Sequence, residues 1–419
     1  MKSTTAQNTQ GAQDVLKVLL LTTSFPLTRG SRSGIFIQKM INDLPNNVQV
    51  TVLTPDSSTV TNHSCEYYAV IPFRYAPKSW QQLAHGSGGI MATLSRNKLF
   101  FLLLPPFLCS NLLTCCYLAH KVDVLHANWS INGFIAGITG FFSGKPVVTT
   151  LRGSDVNLME KAGLMRWLVH FCLRSSNVII TVSPSLQKKL VEHFPEYSAK
   201  IQVICNGIDQ AFFDANNGKY AAKENKEVRF LYVGNLTAGK GVDVILKAAA
   251  LLSSKVSPEE TLTKKSKKWS LDIIGDGPER ELLEGYCREQ HLETKVTFQG
   301  SVPPEEIPRL MAEADVFVFA SFAEGRPNVV LEAMAIGLPV IAGAIPAVSD
   351  LIEHQQQGLL FLPGDVGALA EHMLFLLNHP AERRKLGGGA RDYLASLDLS
   401  WPESARAYAS LYTEIAEEE

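Results

Sequence analysis

SFAEGRPNVVLEAMAIGLPVIAG, from Ser321 to Gly343, contains a loop, a helix and a strand in consecutive order. The apolar run DVFVFA (Asp315–Ala320) before it predicts a buried strand, with Ser321–Arg326 as its exit loop. Pro327 suits the first helical position, and VVLEAMAI carries the helix until Gly337 and Pro339 stop it. PVIAG (Pro339–Gly343) reads as the next strand. Two glutamates fall inside this unit, Glu324 in the loop and Glu332 one turn into the helix. No Ser, Thr or Asp stands at Arg326 to cap the first helical N–H groups; Asn328 can do so, and so can an anion such as a diphosphate. Helical side chains lean toward the N-terminus, so the Glu332 carboxylate reaches the same place. Two carboxylates so placed can hold two sets of hydroxyls, such as a sugar and a ribose. The same residues also suit a buried strand and helix with two solvated glutamates.

The strand–helix alternation continues in both directions, which predicts parallel sheets. Expected strands in the first half are Val15–Thr23, Val48–Thr54, Val122–Ala127, Pro146–Leu151, Asn177–Val182 and Ile201–Ile204. CNGID, Cys205 to Asp209, reads as a turn at a domain boundary. The second half restarts with Val228–Gly234, Trp269–Gly275 and Lys295–Gly300 before reaching DVFVFA. The fold class is α/β: two doubly wound domains, residues 14–207 and 208–399, with a final helical segment over 400–419. Such a tandem leaves a cleft between the carboxyl ends of its strands, where ligands bind. The polar, Lys-rich Ser253–Trp269 reads as a solvated loop.

A length of 419 residues suits two domains, and 46% hydrophobic against 19% charged residues describes a folded chain. The net charge is only −2, but residues 1–207 hold 18 Lys/Arg against 9 Asp/Glu, and residues 208–419 hold 21 against 32. A basic half suggests an anionic partner or membrane surface on that side, although uneven drift in composition would look the same. Seven cysteines without a C-x-x-C fit neither a disulfide framework nor a zinc site. The polar N-terminus does not read as a signal peptide, so a reducing, cytoplasmic location is expected. Leu99–Ala119 carries no charge over 21 residues, enough to span a bilayer. Pro105 and Pro106 argue against one straight helix, so a hairpin of helices is expected, either core or inserted into a membrane surface.

Several loops at strand ends carry candidate chemistry. VGNLTAGKG (Val233–Gly241) lets backbone approach a phosphate that Lys240 can neutralise. GDGPERELLE turns tightly at Gly275 and Gly277, and GSVPPEE (Gly300–Glu306) contains Val302. In the first half, Gly34 precedes a helix, His126 ends a strand in VLHANWS, and LRGSDV places Arg152 and Asp155 at the end of another. No D-x-D near a strand end offers a metal–diphosphate site, so no metal and no other cofactor is expected.

The Glu-x7-Glu spacing followed by EAMAIGLPV resembles the signature of the retaining family 4 glycosyltransferases, which have the GT-B fold of two Rossmann-like domains. The resemblance covers nearly the whole chain and is strongest from Phe230 to Leu362. It implies that Glu324 lies against a donor sugar and Glu332 on the nucleotide ribose. It implies too that Gly34, Asn235, Lys240, Gly277, Val302, Gly325, Arg326, Pro327, Asn328 and Val329 line the donor site, with His126 on the sugar and Arg152 and Asp155 on the acceptor side. His126, Glu324 and Lys240 would carry the chemistry. Relatives usually have Arg where Asn235 stands and His where Arg152 stands. In similar proteins the last helix crosses back onto the first domain, the acceptor side, and the second binds the donor. The implied reaction moves a hexosyl unit from a nucleotide-diphospho-sugar to a hydroxyl of a glycan or lipid-linked acceptor, with peripheral contact to anionic membrane and no nucleic acid. The chain is also similar to bacterial enzymes of cell-surface polysaccharide biosynthesis. An epimerase of the same architecture, or a non-catalytic nucleotide-sugar-binding subunit, would share much of this pattern.

Overall fold

The computed structural model describes residues 15–27, 34–57, 68–84, 90, 93–94, 97–215, 227–256 and 268–418. Residues 28–33 of the first glycine-containing loop, most of the Lys-rich loop (257–267) and the N-terminal residues 1–14 lie outside them.

The chain forms two sheets, each parallel throughout. The first contains β1 (Leu16–Leu21), β2 (Val48–Pro55), β3 (Ala69–Phe73), β4 (Val124–Asn128), β5 (Val147–Leu151), β6 (Val178–Thr181) and β7 (Ile201–Val203), in the order β3-β2-β1-β4-β5-β6-β7. The second contains β8 (Glu227–Val233), β9 (Lys268–Ile274), β10 (Val296–Gly300), β11 (Val316–Phe319), β12 (Val340–Gly343) and β13 (Gly358–Phe361), in the order β10-β9-β8-β11-β12-β13. Each order reverses direction beside its first strand, between β1 and β4 and between β8 and β11. Those two switch points are where doubly wound sheets open a crevice at their carboxyl ends. Both sheets are buried on two faces, which is why most of their strands are continuous apolar runs.

The edge strands β3 and β13 do not announce themselves in the sequence. AVIPF contains Pro72, which removes a ladder donor and is tolerated because β3 has a neighbour on one side only. GLLF is four residues long, too short for a periodicity to show.

The helix Trp401–Glu417 packs on the first sheet although it follows the second in sequence. Trp401, Tyr408, Leu411, Tyr412 and Ile415 are buried with Val18, Leu20, Val124 and Val148. Each such side chain contributes about 1.5–3 kcal/mol on full burial, so this helix ties the two domains together.

Leu99–Ala119 is not a hairpin. A 3-10 turn, Lys98–Leu103, runs directly into one helix, Leu104–Ala119. Pro105 and Pro106 fall in the first turn, where a missing N–H breaks nothing. One face of the helix, with Phe107, Cys115, Leu118 and Ala119, is packed in the core with Leu19, Leu21 and Phe73. The opposite face leaves Leu113, Tyr117 and the preceding Leu102, 74% exposed, in solvent. The neighbouring helix Ser130–Ser143, joined to it by a 3.1 Å Asn111–Asn132 side-chain bond, ends in Phe141 and Phe142, the former 83% exposed.

Candidate active site

On the second domain the loops leaving β8 and β11 lie side by side at the switch point. Gly241 adopts φ +64°, and a Cβ there would stand 2.2 Å from the Ala320 carbonyl oxygen, so only glycine lets the two loops approach this closely. The contact is sewn by backbone: Phe322 N–H donates to the Gly239 carbonyl at 3.0 Å, and the Ser321 hydroxyl oxygen lies 3.2 Å from the same carbonyl. Glu324 is fastened into this frame. Its Oε1 accepts from Lys240 Nζ at 2.6 Å and from Ser321 Oγ at 2.7 Å, with side chains 14% (Glu324) and 30% (Lys240) exposed. The loop then enters the helix Asn328–Ile336 one residue later than expected: Pro327 is the N-cap, and Asn328 is the first helical residue. The Asn328 side chain does not cap its own helix, because its Oδ1 accepts from Asn206 Nδ2 of the domain boundary at 3.3 Å.

Glu332 lies one turn on and lines a small cavity with Phe36, Lys39, Gly207, Asp209, Asn328 and Trp401. Lys39 is paired with Asp209 there. Gly277 packs so tightly that a Cβ would meet the Leu236 carbonyl oxygen at 2.3 Å, which places its turn against the Asn235 loop. Tyr232 donates to the Asn235 carbonyl at 3.1 Å. Val302, in the loop beyond β10, and Val329 are partly buried against the second domain's core.

On the first domain, Gly34 caps the helix Ile35–Asn42 at φ +70°, with its Cα so close to the Ser24 carbonyl that a Cβ would lie 2.0 Å from that oxygen. His126 is not at the cleft surface. It is fully buried in β4, with Nδ1 2.6 Å from the Tyr412 hydroxyl and Nε2 2.8 Å from the Thr150 hydroxyl. Both ring nitrogens are thus occupied by protein, and burial pushes its pKa down to about 3, so it stays neutral. Asp155 is also buried; it accepts the Ser130 N–H at 3.0 Å, at the start of the helix Ser130–Ser143, and the Ser154 hydroxyl at 2.9 Å. Burial raises its pKa to about 6.

Of the first-domain residues expected at the site, Arg152 is held against the domain boundary by its side chain. Its Nε and Nη2 donate to Asn128 Oδ1 at 2.9 and 2.7 Å, its Nη1 to Asn206 Oδ1 at 3.0 Å, and the guanidinium lies 4.4 Å over the Phe36 ring. Trp129, whose ring meets Phe36 edge-on, takes φ +66°, ψ +154° on the turn out of β4. A bulky residue at positive φ is strained, and such strain concentrates at functional sites. Neither Asn128, Asn206 nor Trp129 stands out in the sequence, because a polar residue after a strand is ordinary and a dihedral angle leaves no letter.

The two domains touch across this site. A Cβ on Gly153 would lie 2.2 Å from Gly325 Cα, and one on Gly325 would lie 2.0 Å from the Arg152 carbonyl oxygen. Around that contact, Ser183 Oγ donates to the Gly325 carbonyl at 2.8 Å, Asn157 Nδ2 to the Glu324 carbonyl at 3.3 Å, and Ser185 N–H to the Asp350 carboxylate at 2.9 Å. Arg326 Nη1 reaches the Val182 carbonyl at 3.4 Å and Cys205 Sγ at 3.1 Å. The Glu324–Asn328 segment therefore faces the ends of β5, β6 and β7 with no solvent layer at the Gly153–Gly325 contact.

Two parallel-sheet α/β domains meeting over their switch points, with a carboxylate and a lysine joined at the seam, define a GT-B protein. The family descriptions agree: "Glycosyltransferase Family 4" matches residues 34–212 and "Glycosyl transferases group 1" matches residues 214–393. The chain belongs to the family 4 glycosyltransferases. It is 29% identical over 301 residues to a glycogen synthase of Mycobacterium tuberculosis, covering 70% of this chain and 69% of that protein. Among solved structures it is similar to the sucrose-phosphate synthase of Thermosynechococcus elongatus, with TM-score 0.75, 21% identity, and 96% of this chain and 100% of that one covered. It is similar also to Anabaena HepE in complex with UDP and glucose, with TM-score 0.70, 19% identity, and 95% and 100% covered.

Proposed function

We propose that this glycosyltransferase takes a hexosyl unit from a nucleotide-diphospho-sugar and passes it, with retention of configuration, to a hydroxyl of a growing or lipid-linked polysaccharide. The observation that carries the reading is the Lys240–Glu324–Ser321 cluster at the N-terminus of the helix that bears Glu332. A departing nucleoside diphosphate gathers negative charge on its β-phosphate. Lys240 leaves Glu324 for that phosphate, helped by the helix dipole, and both interactions strengthen as charge develops. Glu324, released from the lysine but still held by Ser321, then orients sugar hydroxyls, and Glu332 takes the ribose. Retention by a covalent route would need a nucleophilic carboxylate on the sugar. Glu324 is committed to orienting hydroxyls, which favours reaction on one face with the leaving phosphate deprotonating the acceptor. His126 acts in this scheme through Thr150 and Tyr412, as a neutral buried support. No metal enters the scheme.

The acceptor side would work at the inner face of an anionic membrane. Support comes from the exposed Leu102, Leu113, Tyr117, Phe141 and Phe142 on two adjoining helices, with Lys98 and Lys121 nearby and a basic first half.

A thermal-shift panel of nucleoside diphosphates and their sugars tests the donor reading, since a ligand of the native state raises apparent stability. No shift with any of them would overturn it. Consumption of a nucleotide-sugar to a sugar isomer without acceptor would mark an epimerase instead. A nucleotide-sugar that binds but is never turned over would mark a binding subunit.

A further inference from the structure

Two guanidinium groups reach the same dipeptide from opposite domains. Arg326, of the second domain, contacts Cys205, and Arg152, of the first, contacts Asn206. They flank the Gly153–Gly325 contact, since Arg152 precedes one of these glycines and Arg326 follows the other. Among the described residues, neither arginine has a carboxylate within ion-pairing distance. Asp155 and Asp350, the carboxylates that act on them through space, are already bound to backbone N–H groups. Lys240 and Lys39, by contrast, are each neutralised by a direct partner. Moreover, Nε and Nη2 of Arg326 are buried without a hydrogen-bond partner among the described residues. Those two donors form one edge of the guanidinium, the fork that takes a carboxylate or phosphate bidentately.

A desolvated cation lacking a counter-ion costs stability and persists where function requires it. We propose that Arg152 and Arg326 form an anion site in the cleft, for a carboxylate or phosphate carried either by the sugar being moved or by its acceptor. It is distinct from the diphosphate position at Lys240. The inference rests on the glycosyltransferase reading of the cleft and deepens it by naming the charge of the substrate.

Sulfate at ionic strength matched with chloride is the probe, read by thermal shift on wild type, Lys240→Ala, Arg152→Gln and Arg326→Met. The sulfate-dependent rise should survive in Lys240→Ala, and its apparent Kd should weaken at least tenfold in both arginine variants. Without sulfate, Arg326→Met should melt at the wild-type temperature or above it, because a buried unpaired charge has gone. A drop would make Arg326 a structural staple and overturn the proposal. So would a sulfate effect absent from wild type, lost only with Lys240, or undiminished in the arginine variants. Should Arg152→Gln fail to fold, Arg152→Lys keeps the charge but loses the guanidinium that Asn128 and Asn206 hold in place, and should still weaken sulfate at least threefold; unchanged sulfate affinity counts against the site. Two further arms separate the sources: UDP-glucuronate against UDP-glucose for the sugar, and a short-chain polyprenyl phosphate against the same polyprenol for the acceptor. In one of these pairs the charged member should bind wild type at least tenfold tighter, with that margin lost in Arg326→Met. Equal binding within both pairs overturns the proposal. These failures are distinct from failure of the donor reading, which is judged on nucleoside diphosphate binding alone.

Discussion

Gly325→Ala isolates the contact between the domains with the addition of one methyl group. The new Cβ would lie 2.0 Å from the Arg152 carbonyl oxygen and 2.8 Å from Gly153 Cα, both of them backbone atoms that cannot rotate away. Real Cβ atoms stay beyond 3.0 Å, so the facing loops must part by about 1 Å. Gly325 itself is not at positive φ, so alanine adds no local strain. The substitution therefore separates the domains without disturbing the Lys240–Glu324 pair inside the second one. If catalysis requires the contact seen here, a displacement of about 1 Å lowers turnover roughly 10²-fold, or about 2.7 kcal/mol in the barrier. Turnover of the preferred donor, its Kd by calorimetry and the radius of gyration in solution should be measured together. The expected result is a turnover loss near that size, a Kd within about threefold and a slightly larger particle. Turnover within threefold of wild type would show that the reactive state does not contain this contact. A Kd that collapses with turnover would show that the substitution acts inside the donor site.

Lys240→Ala should cut turnover by about 10²–10³ while weakening donor binding far less, because charge on the phosphate grows toward the transition state; equal losses would reduce Lys240 to a ground-state contact. Activity should persist in EDTA, and abolition with rescue by magnesium or manganese would refute the proposed electrostatics. The protein should sediment with anionic liposomes, less so as salt screens lysines beyond about 8–10 Å, and serine at Leu102, Leu113, Phe141 and Phe142 should remove the salt-resistant fraction; no binding at low salt would favour a soluble acceptor. His126, with a pKa near 3 when folded against 6.5 when free, binds its proton more readily unfolded, so it removes stability as pH falls from 6.5 toward 3. Asp155, raised from 3.8 to about 6, acts in the opposite sense, favouring the fold at low pH and opposing it as pH rises through 6. The two offset between about pH 4 and 6, and His126 dominates below; His126→Gln should flatten that acid limb in thermal melts, by at most about 1.4 kcal/mol per pH unit.

The donor half of the cleft is legible because its parts are local. Glu324, Pro327 and Glu332 belong to one strand–loop–helix unit, and Lys240 sits on the neighbouring loop that any parallel β8–β11 pairing brings alongside. The facing half is assembled from contacts that no short window contains. His126 ends a strand, and from its position alone it belongs at the cleft. Side chains alternate along a strand, however, so His126 and Asn128 share one face, and that face is covered by a helix 286 residues away whose Tyr412 takes the imidazole. Asn128, at the last paired position of β4, accepts from Arg152 instead. The same separation hides the charge of the cleft. Counting residues makes the first half basic and the second acidic, which would place any anion site in the first. Yet a fork without a partner among the described residues belongs to Arg326, in the acidic half, and its Nη1 bonds to Val182 and Cys205 of the basic one. Net charge is a property of surfaces, where lysines and glutamates find water. A buried guanidinium takes its character from whether a carboxylate lies within a few ångströms, and across a domain boundary that is decided by folding.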